Sequence, residues 1–262
     1  MLLYILLSLL LSLLLILVYV YLLYNWYKSL TIEVFEDNSI DLVIARYSES
    51  VDWLSKLELN KFRKIFIYNK GSDLPEIAFL KNYNYEIIKL PNVGREAHTY
   101  LYHIINNYNN LANVTIFLPG SCTMDNKWDR SIETINKTIT TNKSVFVATV
   151  IDLKDLYDFK IDEYRSTNKD NSNKNNESKL LECSERPFGK WYEKNFKNIS
   201  IYSVCYNAIF AVSKEDIHHR SLDSYKNLIK YVDHHSNHEA AHYFERAWLA
   251  VFYPVSQDCI YS

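Results

Sequence analysis

Glycine is rare in this chain: 262 residues hold only four, Gly71, Gly94, Gly120 and Gly189. Neither G-x-G-x-x-G nor a phosphate-loop sequence occurs, which disfavours dinucleotide cofactors and ATP hydrolysis. Cysteine is also sparse. Cys122, Cys183, Cys205 and Cys259 lie far apart and form no C-x-x-C, so a zinc knuckle or a thioredoxin-type centre is disfavoured. Disulfides in a lumen and buried thiols in the cytosol both stay open. No excess of one charge exists. The net charge is −2 and the pI about 6.5, so no basic field argues for a nucleic-acid partner.

Charge is missing altogether from Met1 to Tyr24, a run of mostly Leu, Ile, Val and Tyr. Such a run is long enough to span a bilayer as a helix. It lacks the basic start, the shorter apolar core and the small-residue cleavage site of a signal peptide. Tyr19, Tyr21, Tyr24, Trp26 and Tyr27 cluster at one end, where an interfacial aromatic belt would lie. Residues 1–24 are therefore expected to be an uncleaved single-pass anchor in the lipid bilayer, with 25–39 as a stalk. Lys28 is the only base near it before Glu33, Glu36 and Asp37, so the positive-inside rule sets no orientation. Sequons at Asn113, Asn136, Asn142, Asn176 and Asn198 are compatible with a lumenal domain, and such sequons also arise by chance in an Asn-rich chain.

About 230 residues remain, enough for one α/β domain over 40–262. Ile40–Arg46 reads as a first strand and a helical start follows at Asp52. Strands are expected at 62–68, 85–90, 114–118 and 144–150, with short helical segments or helices at 75–81, from Gly94 onward, and at 127–140. Strands alternating with helices predict a mostly parallel sheet flanked by helices. Residues 166–179 (STNKDNSNKNNESK) are polar and of low complexity and are expected to be a disordered insertion. Beyond them come a strand at 208–212, a helix at 214–219 capped by Ser213, and helices at 222–232 and 239–252. In the helix after Gly94, residues Ala97, Leu101, Ile104, Ile105 and Tyr108 form one apolar stripe. His98 sits on its flank, and His103 is expected on the solvated side.

Gly71, Gly94 and Gly120 fall just past a predicted strand or at the next helix start. In open α/β sheets ligands bind outside the carboxyl ends of the strands. That edge would collect Arg46, Asn69, Lys70, Gly94, Arg95, Glu96 and His98. Free N–H groups at the helix start, with Arg95 and Lys70, would suit a diphosphate. Glycines also simply make tight turns, so position alone is suggestive. The last helix adds Glu239, His242, Glu245 and Arg246, with Glu239, His242 and Arg246 on one face. A carboxylate there, Glu239 or Glu245, would serve as general base on a hydroxyl. A structural Glu–Arg pair anchoring the helix is the competing reading.

His238-Glu239-Ala240-Ala241-His242 is literally H-E-x-x-H, which on a helix presents two imidazoles to zinc with the Glu as base. No G-x-x-H follows, and the stretch is rich in histidine (His234, His235, His238, His242), which favours an accidental match.

Three blocks taken together carry a resemblance. They are Val43-Ile44-Ala45-Arg46-Tyr47 with Glu49 and Trp53, then Ile67-Tyr68-Asn69-Lys70-Gly71, then Leu90 to Leu101 around Asn92-Val93-Gly94-Arg95-Glu96. Phe117-Leu118-Pro119-Gly120, Ala208 to Val212, and Glu239 with Ala241 to Trp248 continue it in order. The chain resembles the uncharacterised domain of unknown function 3431 family over roughly residues 40 to 252, a family that brings no assigned activity. More distantly the layout is similar to GT-A-type glycosyltransferases, which implies a nucleotide-sugar donor and a hydroxyl acceptor. Those enzymes usually hold a divalent metal on an Asp-x-Asp after a central strand. The equivalent place here reads Pro119-Gly120-Ser121-Cys122-Thr123-Met124-Asp125, and only Asp125 is acidic. The divalent metal thus stays open as a cofactor and no metal ligand is assigned. A membrane-anchored glycosyltransferase-like enzyme is the leading expectation. A zinc metallopeptidase on 238–242 and a non-catalytic anchored binding protein are the alternatives.

Overall fold

Every residue of Ile40–Arg46 (β1) is buried, as a strand covered on both faces of a sheet requires. The computed structural model describes residues 1–33, 39–74, 77–124, 127–161, 179–200 and 202–261. Asp125 and nearly all of the low-complexity segment lie outside them. The chain forms two compact units, Met1–Asp37 and Asn38–Ser262.

The first unit is helix α1, Leu2–Glu33, which continues through most of the segment expected to be a stalk. Its side chains described at 12–26 are exposed and largely apolar. Among the described residues no helix is long and apolar enough to cross a membrane.

In the second unit β1 is joined by β2 (Lys64–Asn69), β3 (Tyr85–Lys89), β4 (Val114–Pro119), β5 (Val145–Val147), β8 (Phe210–Ser213) and β9 (Ile260–Tyr261). The sheet order is β3-β2-β1-β4-β8-β5-β9. Neighbours pair in parallel except β8, which runs antiparallel to both β4 and β5. The fold is thus α/β with a mostly parallel central sheet flanked by helices. The run expected as one strand over 144–150 divides at Ala148. Its amide donates to Tyr261 O at 2.7 Å, and Thr149–Val150 (β6) turns away to pair with Ser203–Val204 (β7) in a second small sheet.

The period of two along β1 sorts the core. Val43 and Ala45 face one side with Phe66, Tyr68 and Phe117, covered by α2 (Arg95–Asn107), α5 (Phe188–Phe196), α7 (Leu222–Ile229) and α8 (Glu239–Val251). Leu42 and Ile44 face the other with Ile65 and Ile67, covered by Trp53, Leu54 and Ile135 of α3 (Lys127–Thr141). Short helices α4 (Leu153–Tyr157) and α6 (Lys214–His218) complete the set. Ser213 caps α6 as expected, its hydroxyl accepting from Asp216 N–H at 3.1 Å. All four cysteines are buried and unpaired.

His103 corrects the reading of α2. It is fully buried, edge-on to Phe66 and Phe117, and its Nδ1 is hydrogen-bonded to the Tyr68 hydroxyl at 2.9 Å. The stripe of Ala97, Leu101 and Ile104 covers only part of the buried surface of α2, because the helix packs against both the sheet and α7–α8.

Candidate functional site

Successive strands β1, β2 and β3 step outward across the sheet, and the chain then returns to lay β4 on the other flank of β1. The order therefore reverses between β1 and β4, where an α/β sheet opens a crevice outside its strand ends. Gly120 lies in the turn that ends β4, packed against the loop after β1. A Cβ there would lie 3.0 Å from Glu49 Oε2 and 3.1 Å from Arg46 Cα.

The loop after β1 is closed on itself. The Arg46 Nε donates to Glu49 O at 2.7 Å, and its Nη1 to Asn69 Oδ1 at 2.6 Å and Ser72 O at 2.9 Å. Glu49 Oε2 in turn accepts the N–H groups of Tyr47 and Ser48 at 2.8 and 3.1 Å. An internal carboxylate thus fills the backbone donors that a phosphate would have used. Arg46 and Asn69 shape the loop: their charge and amide are spent on tying the ends of β1 and β2 together.

Lys70 extends under the next turn. Its Nζ donates to Val93 O at 2.6 Å and to Arg95 O at 2.5 Å. Burial pushes its pKa down to about 7, against the opposing pull of Glu96. Gly94 is left-handed at φ 58° and buried; a Cβ would come within 2.1 Å of Val232 O. Its N–H donates to His235 O at 2.9 Å. Gly94 is therefore a packing contact with the 232–237 segment. His98, one turn on, is buried, and burial together with Lys70 brings its pKa down to about 4.

Arg95 follows at φ 50°, a left-handed value uncommon outside glycine. Its half-buried guanidinium donates to Asn237 Oδ1 at 3.2 Å. Opposite stands α8, in which every residue is buried except Glu245 and Arg246. Burial raises the pKa of Glu245, but His242, Arg246 and Arg95 outweigh it and hold the carboxyl below its ordinary range. His242 Nδ1 lies 3.8 Å from Glu245 Oε2. Arg246 donates to His242 O at 2.9 Å and lies over the rings of Phe159 and Tyr206.

The strand ends and α8 thus bring Lys70, Arg95, Glu96, His98, His242 and Glu245 together, with Arg246 coupled to Glu245. Glu239 does not join them. It is fully buried, and its oxygens accept the N–H groups of Ile161 and Cys183, each at 2.9 Å, with Arg186 Nε at 3.3 Å. The Glu–Arg anchoring pair exists, with Arg186 as its base. The H-E-x-x-H residues also part company. His238 precedes the helix and caps it, Nδ1 accepting from Ala240 N–H at 2.9 Å. Among the described residues no three His, Cys, Asp or Glu side chains gather as metal ligands.

One element went unread in the sequence. Tyr206–Ala208 precedes β8, with Asn207 at φ 68° and Ala208 at φ 55°. Tyr100 of α2 donates its hydroxyl to Ala208 O at 2.9 Å, and Arg130 reaches Tyr206 O at 3.2 Å. Because β8 runs backwards, this strained turn lies at the same edge as Gly120. Left-handed non-glycine residues cost about 1–3 kcal/mol each and gather at functional sites. Asn207 was the only available signal, since Asn tolerates this conformation.

The family model described as "Protein of unknown function (DUF3431)" matches residues 42–262. The chain belongs to this family. The match takes in every residue of the strand-end site and leaves α1 outside. Among curated proteins no match is found. The DUF3431 match thus runs from within β1 to the end of the second unit.

Proposed function

We infer that the chain is a glycosyltransferase-like enzyme of GT-A type, held at a membrane by its N-terminal helix. It would transfer a sugar from a nucleotide sugar to a hydroxyl acceptor. The observation that carries this reading is the charge coupling of Arg95 to Glu245, which helps hold that carboxyl below its ordinary range. A neighbouring cation and carboxylate are what such a transfer asks of the protein.

In this reading Arg95 binds the donor diphosphate, and Lys70 supports it from beneath by fixing the Arg95 carbonyl. Glu245, ionised at neutral pH, accepts the acceptor's hydroxyl proton as the oxygen attacks the anomeric carbon. The bond to the diphosphate breaks, its electron pair leaves with the nucleotide, and Arg95 meets the charge that develops. Glu239 is removed from the base role because its oxygens are committed inside the fold. Arg246 and His242 orient Glu245. A divalent metal is not needed for these steps, and no residue is assigned to hold one.

The test is thermal denaturation of the full chain with UDP- and GDP-sugars. One of them should raise the melting temperature, and Arg95→Ala should abolish the rise. If no nucleotide sugar shifts the transition, the transferase reading fails and a non-catalytic binding role takes its place.

A further inference from the structure

A second concavity, of about 430 Å3, is built from residues that take no part in the strand-end site. Its volume falls in the roughly 300–1,000 Å3 range of ligand pockets. Leu181 and Ser184 line it from the segment before α5, Lys194 from α5, Lys230 and Tyr231 from the end of α7, and His238 from the start of α8.

His238 is the fixed point. It is 5% exposed, and its Nδ1 accepts the Ala240 N–H. The proton of the neutral ring therefore sits on Nε2, which makes the ring a donor at the cavity wall. Burial, with His234 and His235 nearby, lowers its pKa to about 4, so the ring stays a neutral donor at physiological pH. The two lysines differ. Lys194 is paired with the Glu185 carboxylate. Lys230 donates to the neutral amide oxygen of Asn227 at 2.8 Å, which leaves its charge unmatched there. His234 of the lining is bonded to Asp233 at 3.0 Å, and Glu182 pairs with Arg186 at 2.8 Å. Of the carboxylates at or beside the lining, Glu185 is held by Lys194 and Glu182 shares Arg186 with Glu239. Tyr231 and Leu181 add an aromatic and an aliphatic wall.

We propose that this cavity binds a small phosphorylated organic molecule of sugar-phosphate size, with Lys230 and the His238 Nε2–H on the phosphate and Tyr231 and Leu181 against its body. The two donors reach the cavity from separate elements, Lys230 from the end of α7 and His238 from the start of α8. That suits a tetrahedral group with three acceptor oxygens better than a planar carboxylate. The segment that carries His238 also holds the strand-end site, through His235 O on Gly94 and Asn237 Oδ1 on Arg95. The two sites are therefore separated by competition rather than by truncation.

Calorimetric titration of the full chain with glucose 6-phosphate, inorganic phosphate and glucose tests the proposal. Glucose 6-phosphate should bind most tightly, phosphate more weakly, and glucose not at all. Lys230→Met should weaken glucose 6-phosphate by roughly tenfold or more with an unchanged melting temperature, and Tyr231→Ala should weaken it as well. UDP should not compete with it. Glucose binding as tightly as its phosphate would overturn the proposal, as would an unchanged affinity in both Lys230→Met and Tyr231→Ala. Competition by UDP would overturn it by placing the phosphate in the strand-end site.

Discussion

The Lys70 ammonium donates to the carbonyl oxygen of Arg95 at 2.5 Å, so a buried amine on one strand end fixes the left-handed residue that opens α2. The arrangement has a pH signature. Burial takes the Lys70 pKa from 10.5 to about 7. Between those values the unfolded chain holds a proton that the folded chain has released. Stability therefore rises with pH across that window and is lost as pH falls toward 7. Urea unfolding at about pH 7 and about pH 9 should show the rise, and Lys70→Met should flatten it. The same variant loosens Arg95 and should weaken nucleotide-sugar binding. An equal pH slope in both proteins would remove Lys70 from this role.

Three buried histidines set the acid side. His98 and His238 have pKa values of about 4 and His103 of about 3, against an ordinary 6.5. Burial is the largest cause in each. All three stay neutral in the fold while the unfolded chain takes up protons below 6.5. Their contribution is present above 6.5 and is lost as pH falls through 4 and then 3. Each tenfold loss of proton affinity on folding corresponds to about 1.4 kcal/mol. His103→Gln keeps a polar group near Tyr68 without the titration. Its stability should fall less steeply below about pH 6 than that of the parent chain. Parallel pH curves for the two would show that His103 is protonated in the fold.

Most of the sheet was legible because β1, β2 and β4 are apolar runs ended by Arg46, Asn69 and Pro119, and burial on both faces leaves that mark. The reversed β8 was not, since strand direction depends on partners and Phe210–Ser213 reads the same either way. The site was half legible. Lys70 and Arg95 stand beside glycine turns that sequence can find. The sorting of Glu239 from Glu245 depends on Ile161, Cys183 and Arg186, which are distant in sequence. His103 misled because one apolar stripe on α2 hides the second face that packs on the sheet.

Gly71 and Gly94 hold the two turns that deliver these groups, and the reason is space. A Cβ on Gly71 would lie 1.7 Å from Tyr47 O, and one on Gly94 would lie 2.1 Å from Val232 O. Gly94 also carries φ 58°. Gly94→Ala should cost about 1–3 kcal/mol in strain alone, with the clash added. Gly71→Ala should be destabilising through its clash while straining no left-handed backbone. Chemical denaturation measures both. A Gly94→Ala chain as stable as the parent would mean that the 232–237 segment is not seated on the α2 turn.

Two carboxylates on one helix make the sharpest test of the functional reading. Glu239 satisfies two backbone N–H groups and Arg186 inside the protein. Glu239→Ala leaves the two N–H groups without their acceptor, while Arg186 keeps Glu182 and Ile161 O, and should cost about 1–3 kcal/mol for each orphaned donor. Glu239→Gln keeps an acceptor oxygen and should cost less. Glu245 has 30% of its side chain exposed, so Glu245→Gln should cost less stability than Glu239→Ala. In a transfer assay the order should invert. Glu245→Gln removes the base and should lower kcat about 100-fold or more, while Glu239→Gln, once folded, should keep most of it. Loss of transfer in a stable Glu239→Gln chain, with Glu245→Gln active, would exchange the roles. The two melting curves show whether either loss is a folding defect, so the comparison separates a buried anchor from a base.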